Sequence, residues 1–201
     1  MKRFFCILVL LFAVGTLAYA WSPRFSYGLE WGYTGTFLRT RQYSYIYSAG
    51  SRITENYPEW RYFSNGSVLA NAGLDISDSF NLSAYSGLLG VYFRRWMIPV
   101  ELRARWCPLG LQNDGPLIHC GAAATFPTST LMETSGRLNA GGGWRCNVYR
   151  SISIDFLLSL NVTLDHDIIY DPDTYLPVPS MNVTRNFSEY WGINFSLAVN
   201  F

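Results

Sequence analysis

After Lys2 the chain contains no lysine at all. Of its fifteen basic residues only Lys2 and Arg3 precede Trp21, so the remaining positive charge is thirteen arginines against fourteen Asp and Glu. That near-neutral balance leaves no general field to draw nucleic acid. Charge of either sign is scarce, 14% of residues, where a soluble domain carries ~25%. Long apolar runs are missing too: no segment after position 20 approaches the ~20 residues a spanning helix needs. Histidine is reduced to His119 and His166, neither at ligand spacing from a partner, so no metal site and no cofactor are expected. Aromatic residues fill the gap at 17%. Many rings with little charge exclude a disordered chain.

The first twenty residues read as a cleaved signal peptide. Lys2 and Arg3 form a positive start, Phe4 to Leu17 form an apolar stretch, and Ala18-Tyr19-Ala20 supplies a small-x-small cleavage pattern. The apolar stretch is too short to cross a ~30 Å hydrocarbon core as an anchor. Residues 21–201 then make one domain without a linker.

Along that domain one period dominates, and it is two. Phe25, Tyr27, Leu29, Trp31 and Tyr33 alternate with polar or small residues, as do Val68 to Ile76, Phe80 to Ala84 and Val100 to Trp106. Ile118 to Phe126, Leu138 to Cys146, Ile152 to Leu164 and Trp191 to Phe201 complete eight segments of strand period. Short turns are expected near 77–79, 107–115 and 147–151, and longer polar stretches near 40–66, 127–136 and 165–189. Short links on one rim and long ones on the other are the habit of an outer-membrane barrel.

Period two does not say which face meets lipid, because a soluble lipophile carrier alternates as well. Three features favour the membrane. The polar face is Gly, Ser, Asn and Thr rather than the Lys and Glu of a water-washed exterior. Gly28, Gly32, Gly73, Gly121, Gly141 and Gly143 all fall on that face, as a crowded interior requires. The last strand is apolar at Ile193, Phe195, Leu197 and Val199 and closes on Phe201.

A terminal strand closing on Phe resembles the signal read by the barrel assembly machinery, which makes Phe201 the expected assembly signal. With a signal peptide and eight strands, residues 21–201 resemble the small barrels typified by outer membrane proteins X and W and the membrane domain of outer membrane protein A. The resemblance implies an all-β, transmembrane, antiparallel up-and-down barrel in a Gram-negative outer membrane. It also implies a monomer whose partners are outer-membrane lipid, lipopolysaccharide and the assembly machinery. Shared fold does not choose among stabilisers, adhesins and narrow passages for small or hydrophobic solutes.

On the polar face Glu30, Asp75, Glu101 and Asp155 would point inward with Arg103, Arg105 and Arg145. Eight strands leave an interior only wide enough for side chains, so these charges are expected to pair and plug it. An ion pathway is the alternative reading.

Outside the membrane, the alternation of the first strand runs on through Arg41, Tyr43, Tyr45 and Tyr47, with Ile53, Tyr57, Trp60, Tyr62 and Phe63 as a return strand. Such an aromatic hairpin would offer rigid contact area and an edge to a host or cell-surface macromolecule. Arg39, Arg41, Arg52, Arg61, Arg94 and Arg95 would gather on the same rim, facing lipopolysaccharide phosphates or an acidic partner. The plainer reading is an aromatic girdle with ordinary loop residues.

An enzyme is the rival class, since some eight-stranded barrels act on lipid A. His166 between Asp165 and Asp167 is the best candidate base. No serine is singled out and no His is followed two residues later by Ser, so no catalytic residue is assigned. Cys107 and Cys120 flank one short turn, yet alternation places the first inside and the second outside. The Asn-x-Ser/Thr matches at Asn81, Asn161 and Asn194 lie in strands and follow from alternation itself.

Overall fold

The computed structural model describes residues 24–46, 50–92, 95–128, 133–149 and 151–201. The expected signal peptide, Tyr47 and Arg94 lie outside the described residues. Eight antiparallel strands close into a ring in chain order, β1 pairing with both β2 and β8. They are β1 (Arg24–Ile46), β2 (Arg52–Ser77), β3 (Phe80–Tyr92), β4 (Arg95–Trp106), β5 (Gly115–Pro127), β6 (Ser135–Tyr149), β7 (Ile152–Asp165) and β8 (Val183–Asn200). Each of the eight alternating segments sits inside one of these strands, save that Phe201 lies one residue past β8.

The outside of the ring is apolar. On β4 the outward face runs Trp96, Ile98, Val100, Leu102, Ala104 and Trp106, an aliphatic row with a ring at each end. Ten residue steps of ~3.4 Å at a tilt of ~45° rise ~24 Å, which matches the ~25 Å apolar band of a barrel in lipid. Leu29, Trp31, Val68, Ile118, Leu138, Leu158 and Phe195 continue the band around the ring, each about half exposed or more. A soluble barrel would bury this face instead.

The inside is crowded. A Cβ at Gly143 would run into the carbonyl of Phe156 on the neighbouring strand, so β6 needs glycine there to approach β7. Apolar clusters lie toward both ends of the lumen. At the short-turn end Cys107, Leu111, Leu117, Leu157 and Ala198 pack together. Leu111 is held under the opening by its N–H donating to the carbonyl of Asp78 at 2.6 Å. At the other end Leu89, Val91, Met97 and Tyr190 form a second layer, with Tyr92 against it. Cys107 faces inward and Cys120 outward, as alternation required, and both are free thiols.

Two strands are far longer than the rest. β1 has 23 residues and β2 has 26, against 12 in β4. Their upper halves form a hairpin that stands beyond the last residue of β3. One edge of this hairpin is taken, because β1 stays paired with β8 as far as Tyr45 opposite Val183. The other edge is open, since β2 pairs with β3 only from Ser67 downward.

Candidate functional site

A bulge decides what the hairpin presents. Against β8, Thr36 lies opposite Gly192 but Leu38 lies opposite Trp191, so Phe37 is an extra residue in β1. One inserted residue reverses which parity faces the lumen. Below it Gly28, Glu30, Gly32, Thr34 and Thr36 point in. Above it the inward positions are odd, starting with Arg39 and Arg41. The expectation of an uninterrupted face therefore fails at Phe37, and Arg39 and Arg41 turn toward Asp167. The Phe37 ring stacks on Trp60 at 6.2 Å, which anchors the irregularity.

The two arginines converge with Arg95 on a buried carboxylate. Asp167 accepts from Arg39 Nη2 at 2.7 Å and from Arg95 Nη1 at 2.7 Å, with Arg41 Nε at 3.4 Å. The hydroxyls of Ser188 and Tyr190 also donate to it, both at 2.5 Å. Arg95 Nη2 reaches Asp165 at 2.5 Å, and Arg39 Nη1 reaches Glu59 at 3.6 Å. Burial alone would raise the Asp167 carboxyl, but Arg39 and the two hydroxyl donors outweigh it and hold the group well below the usual carboxylate range. Arg39 also lies over the Tyr92 ring, 4.9 Å from its centroid. This is a clasp tying the hairpin to the β7–β8 segment.

The clasp undoes the candidate base. Asp165 and Asp167 are buried, while the His166 imidazole is exposed and, among the described residues, meets Glu133 at 3.8 Å. Neither flanking carboxylate orients its imidazole, so the described residues form no triad around it.

Of the other hairpin residues, Tyr43 donates to Glu55 across the strand pair and stacks at a tilt on Tyr45. Burial, then the bond to Glu55, raises the Tyr43 phenol well above its usual range and keeps it protonated. Arg52 binds Ser44 and Thr184, both at 3.0 Å, bracing the tip against the start of β8. Trp60 and Arg61 stay outside: Trp60 is 74% exposed, and the Arg61 side chain is 66% exposed over the Phe63 ring. Tyr62 is exposed beside them, its hydroxyl 3.2 Å from that of Tyr33.

Within the lumen the charges meet in two groups. Arg103 bridges Glu30 and Glu101 at 2.6 Å each, and its guanidinium covers the Tyr85 ring at 4.0 Å. Asp155 accepts from Arg105 at 2.8 Å and from two nitrogens of Arg145 at 2.7 Å, with Asn200 donating at 3.0 Å. Asp75, nearer the short-turn end, accepts from Asn81 at 2.8 Å. Bidentate pairing and added hydrogen bonds are what make such buried ions tolerable. At the chain end, Phe201 exchanges backbone hydrogen bonds with Tyr27 at 2.7 and 3.2 Å and stacks on its ring at 5.5 Å.

Sequence reading missed Asp165 and Asp167 as lumen residues, and it missed Arg137. The signal was there: Arg137 and Asp165 share the inward parity of their strands, next to outward Leu138 and Leu164, and Asp167 continues it two residues beyond β7. Asp165 and Asp167 were read instead as the flanks of His166.

An apolar exterior, a closed up-and-down ring of eight strands and an ion-paired lumen define the class of small barrel that crosses an outer membrane. Solved structures share this fold. Neisserial surface protein A matches with a TM-score of 0.50 at 12% identity, over 90% of this chain and 100% of that one. Outer membrane protein OprG from Pseudomonas aeruginosa matches with a TM-score of 0.50 at 10% identity, over 88% and 95%. No protein-family model and no curated protein matches the chain.

Proposed function

We propose that the protein is an integral outer-membrane barrel with a plugged lumen, and that its outer hairpin binds an acidic macromolecular surface. The supporting observation is the patch of Tyr57, Trp60, Arg61 and Tyr62, apolar rings beside a guanidinium, on a strand whose edge has no β3 partner. Aromatic residues and arginine are the residue types that dominate binding energy at interfaces. Arg39 and Arg41 position that patch rather than touch the partner, because Asp167 already engages them. The clasp makes the hairpin rigid, which lowers the ordering cost of binding.

The test replaces Tyr57, Trp60 and Arg61 together with serine. Barrel strands satisfy their hydrogen bonds with one another, so the variant should refold with unchanged yield. Adherence of cells displaying it should fall to the level of cells without the protein. Added salt should weaken adherence of the unaltered form, since the contact uses a cation. Full adherence by the triple variant defeats the proposal. Lipid A with altered acyl chains in cells carrying the unaltered protein would make it an enzyme instead.

A further inference from the structure

The outer rim carries a second surface, opposite in charge to the hairpin patch. The segment from His166 to Thr184 holds three aspartates and no lysine or arginine. Its middle folds back on itself. Val178 N–H donates to the Ile169 carbonyl at 2.9 Å, Asp171 N–H donates to that of Leu176 at 3.0 Å, and Tyr170 pairs with Pro177. The Asn186 amide ties the segment to β8 by donating to the Asp167 carbonyl at 2.8 Å. Between this fold and the start of β8 lies a groove of about 390 Å³, a size that holds ligands. Ile168, Pro177, Val178 and Val183 line it, and Glu133 of the β5–β6 connection borders it.

The Glu133 carboxylate is loosely held. Among the described residues its ion-pair partner is the His166 imidazole at 3.8 Å, and its side chain is 74% exposed. An apolar groove beside such a carboxylate suits an apolar group with a cation next to it, and it repels an acidic surface. The hairpin offers that combination: exposed Trp60 and Tyr62 flank Arg61, whose carboxylate partner Glu59 is also 3.8 Å away. The patch is on β2, and the groove lies at the outer end of β7, three positions away around the ring. Backbone hydrogen bonds fix both, so one copy does not fill its own groove. Two copies can meet through it, using unlike surfaces.

We propose that the protein associates with itself, the Trp60–Arg61 patch of one copy seated in the β7–β8 groove of a second, with Arg61 against Glu133. This contact rests on the reading of the hairpin as a binding surface and names the acidic surface it meets. Sedimentation of the purified, refolded protein in detergent should show concentration-dependent association that added salt weakens. Arg61→Glu and Glu133→Arg change exposed side chains, so both variants should refold. Each alone should weaken association by about tenfold or more, since like charges then meet. Mixing the two variants should restore a dimer, because one keeps the groove and the other keeps the patch. A variant carrying both changes should associate as well, with the pair reversed. The contact is overturned if the unaltered protein stays monomeric at every concentration, or if the mixture associates no better than its parts. Should the serine variant of Tyr57, Trp60 and Arg61 still lose adherence in that case, the hairpin reading survives with another partner.

Discussion

The two halves of β1 make the sharpest contrast in the molecule. Below Phe37 the strand lies in the ring with rings and aliphatics outside and Glu30 inside, bound to Arg103. Above Phe37 the same alternation continues in opposite phase, and arginines that would have faced out grip Asp167. The lower half is held by lipid on one side and buried ion pairs on the other. The upper half is held by a clasp to one loop and has one open edge. Identical local pattern thus serves two environments, and a single inserted residue marks the border.

The largest effect should come from the lower half. Asp155→Asn leaves Arg105 and Arg145 buried against a neutral amide, which should cost ~3–5 kcal/mol. The measurement is the denaturant midpoint of unfolding in lipid vesicles. A midpoint unchanged from the parent would mean that the lumen charges are solvated rather than paired.

Next comes the contrast between the outer faces. Leu158→Arg places a charge in mid-band, at ~2–4 kcal/mol near the midplane. Trp60→Arg, on the upper half and 74% exposed, should cost much less in the same assay, since it loses only the stacking on Phe37. Equal penalties for the two would put the hairpin in lipid and move the border upward.

The smallest effect tests the clasp. Arg39→Ala and Asp167→Asn should be coupled by ~0.5–3 kcal/mol in a double-mutant cycle read from protease cleavage of the hairpin. An uninterrupted strand with Arg39 outside predicts no coupling. Because the folded Asp167 carboxyl titrates below its unfolded value of ~3.9, the stabilisation it gives is fully present above that value. Hairpin protection should therefore be level from pH 7 down to about pH 5 and fall only in stronger acid. Loss of protection well above pH 5 would mean that Asp167 does not carry the clasp.

Much of the candidate site was written in parity. Once Leu138, Leu158 and Phe195 are assigned outward, Glu101, Arg103, Arg105, Arg145 and Asp155 must share the lumen, because successive side chains in a strand point to opposite faces. Parity also held the positions of Arg137 and Asp165. The inward turn of Arg39 and Arg41 was not legible. Thr36-Phe37-Leu38 carries no glycine, and its extra residue is registered only against the ladders of β2 and β8.

By itself, then, the sequence determined the eight strands, the closed ring and the separation of a ring-rich exterior from a charged interior. The reason is that alternation is a local property, and a strand needs only its own residues to display it. Tertiary structure alone decided which carboxylate each arginine meets, since Arg103 and Glu30 are brought together from strands far apart in the chain. Pairing depends on shear, bulges and the reach of side chains across a closed lumen, and those arise only when every strand has taken its register against its neighbours.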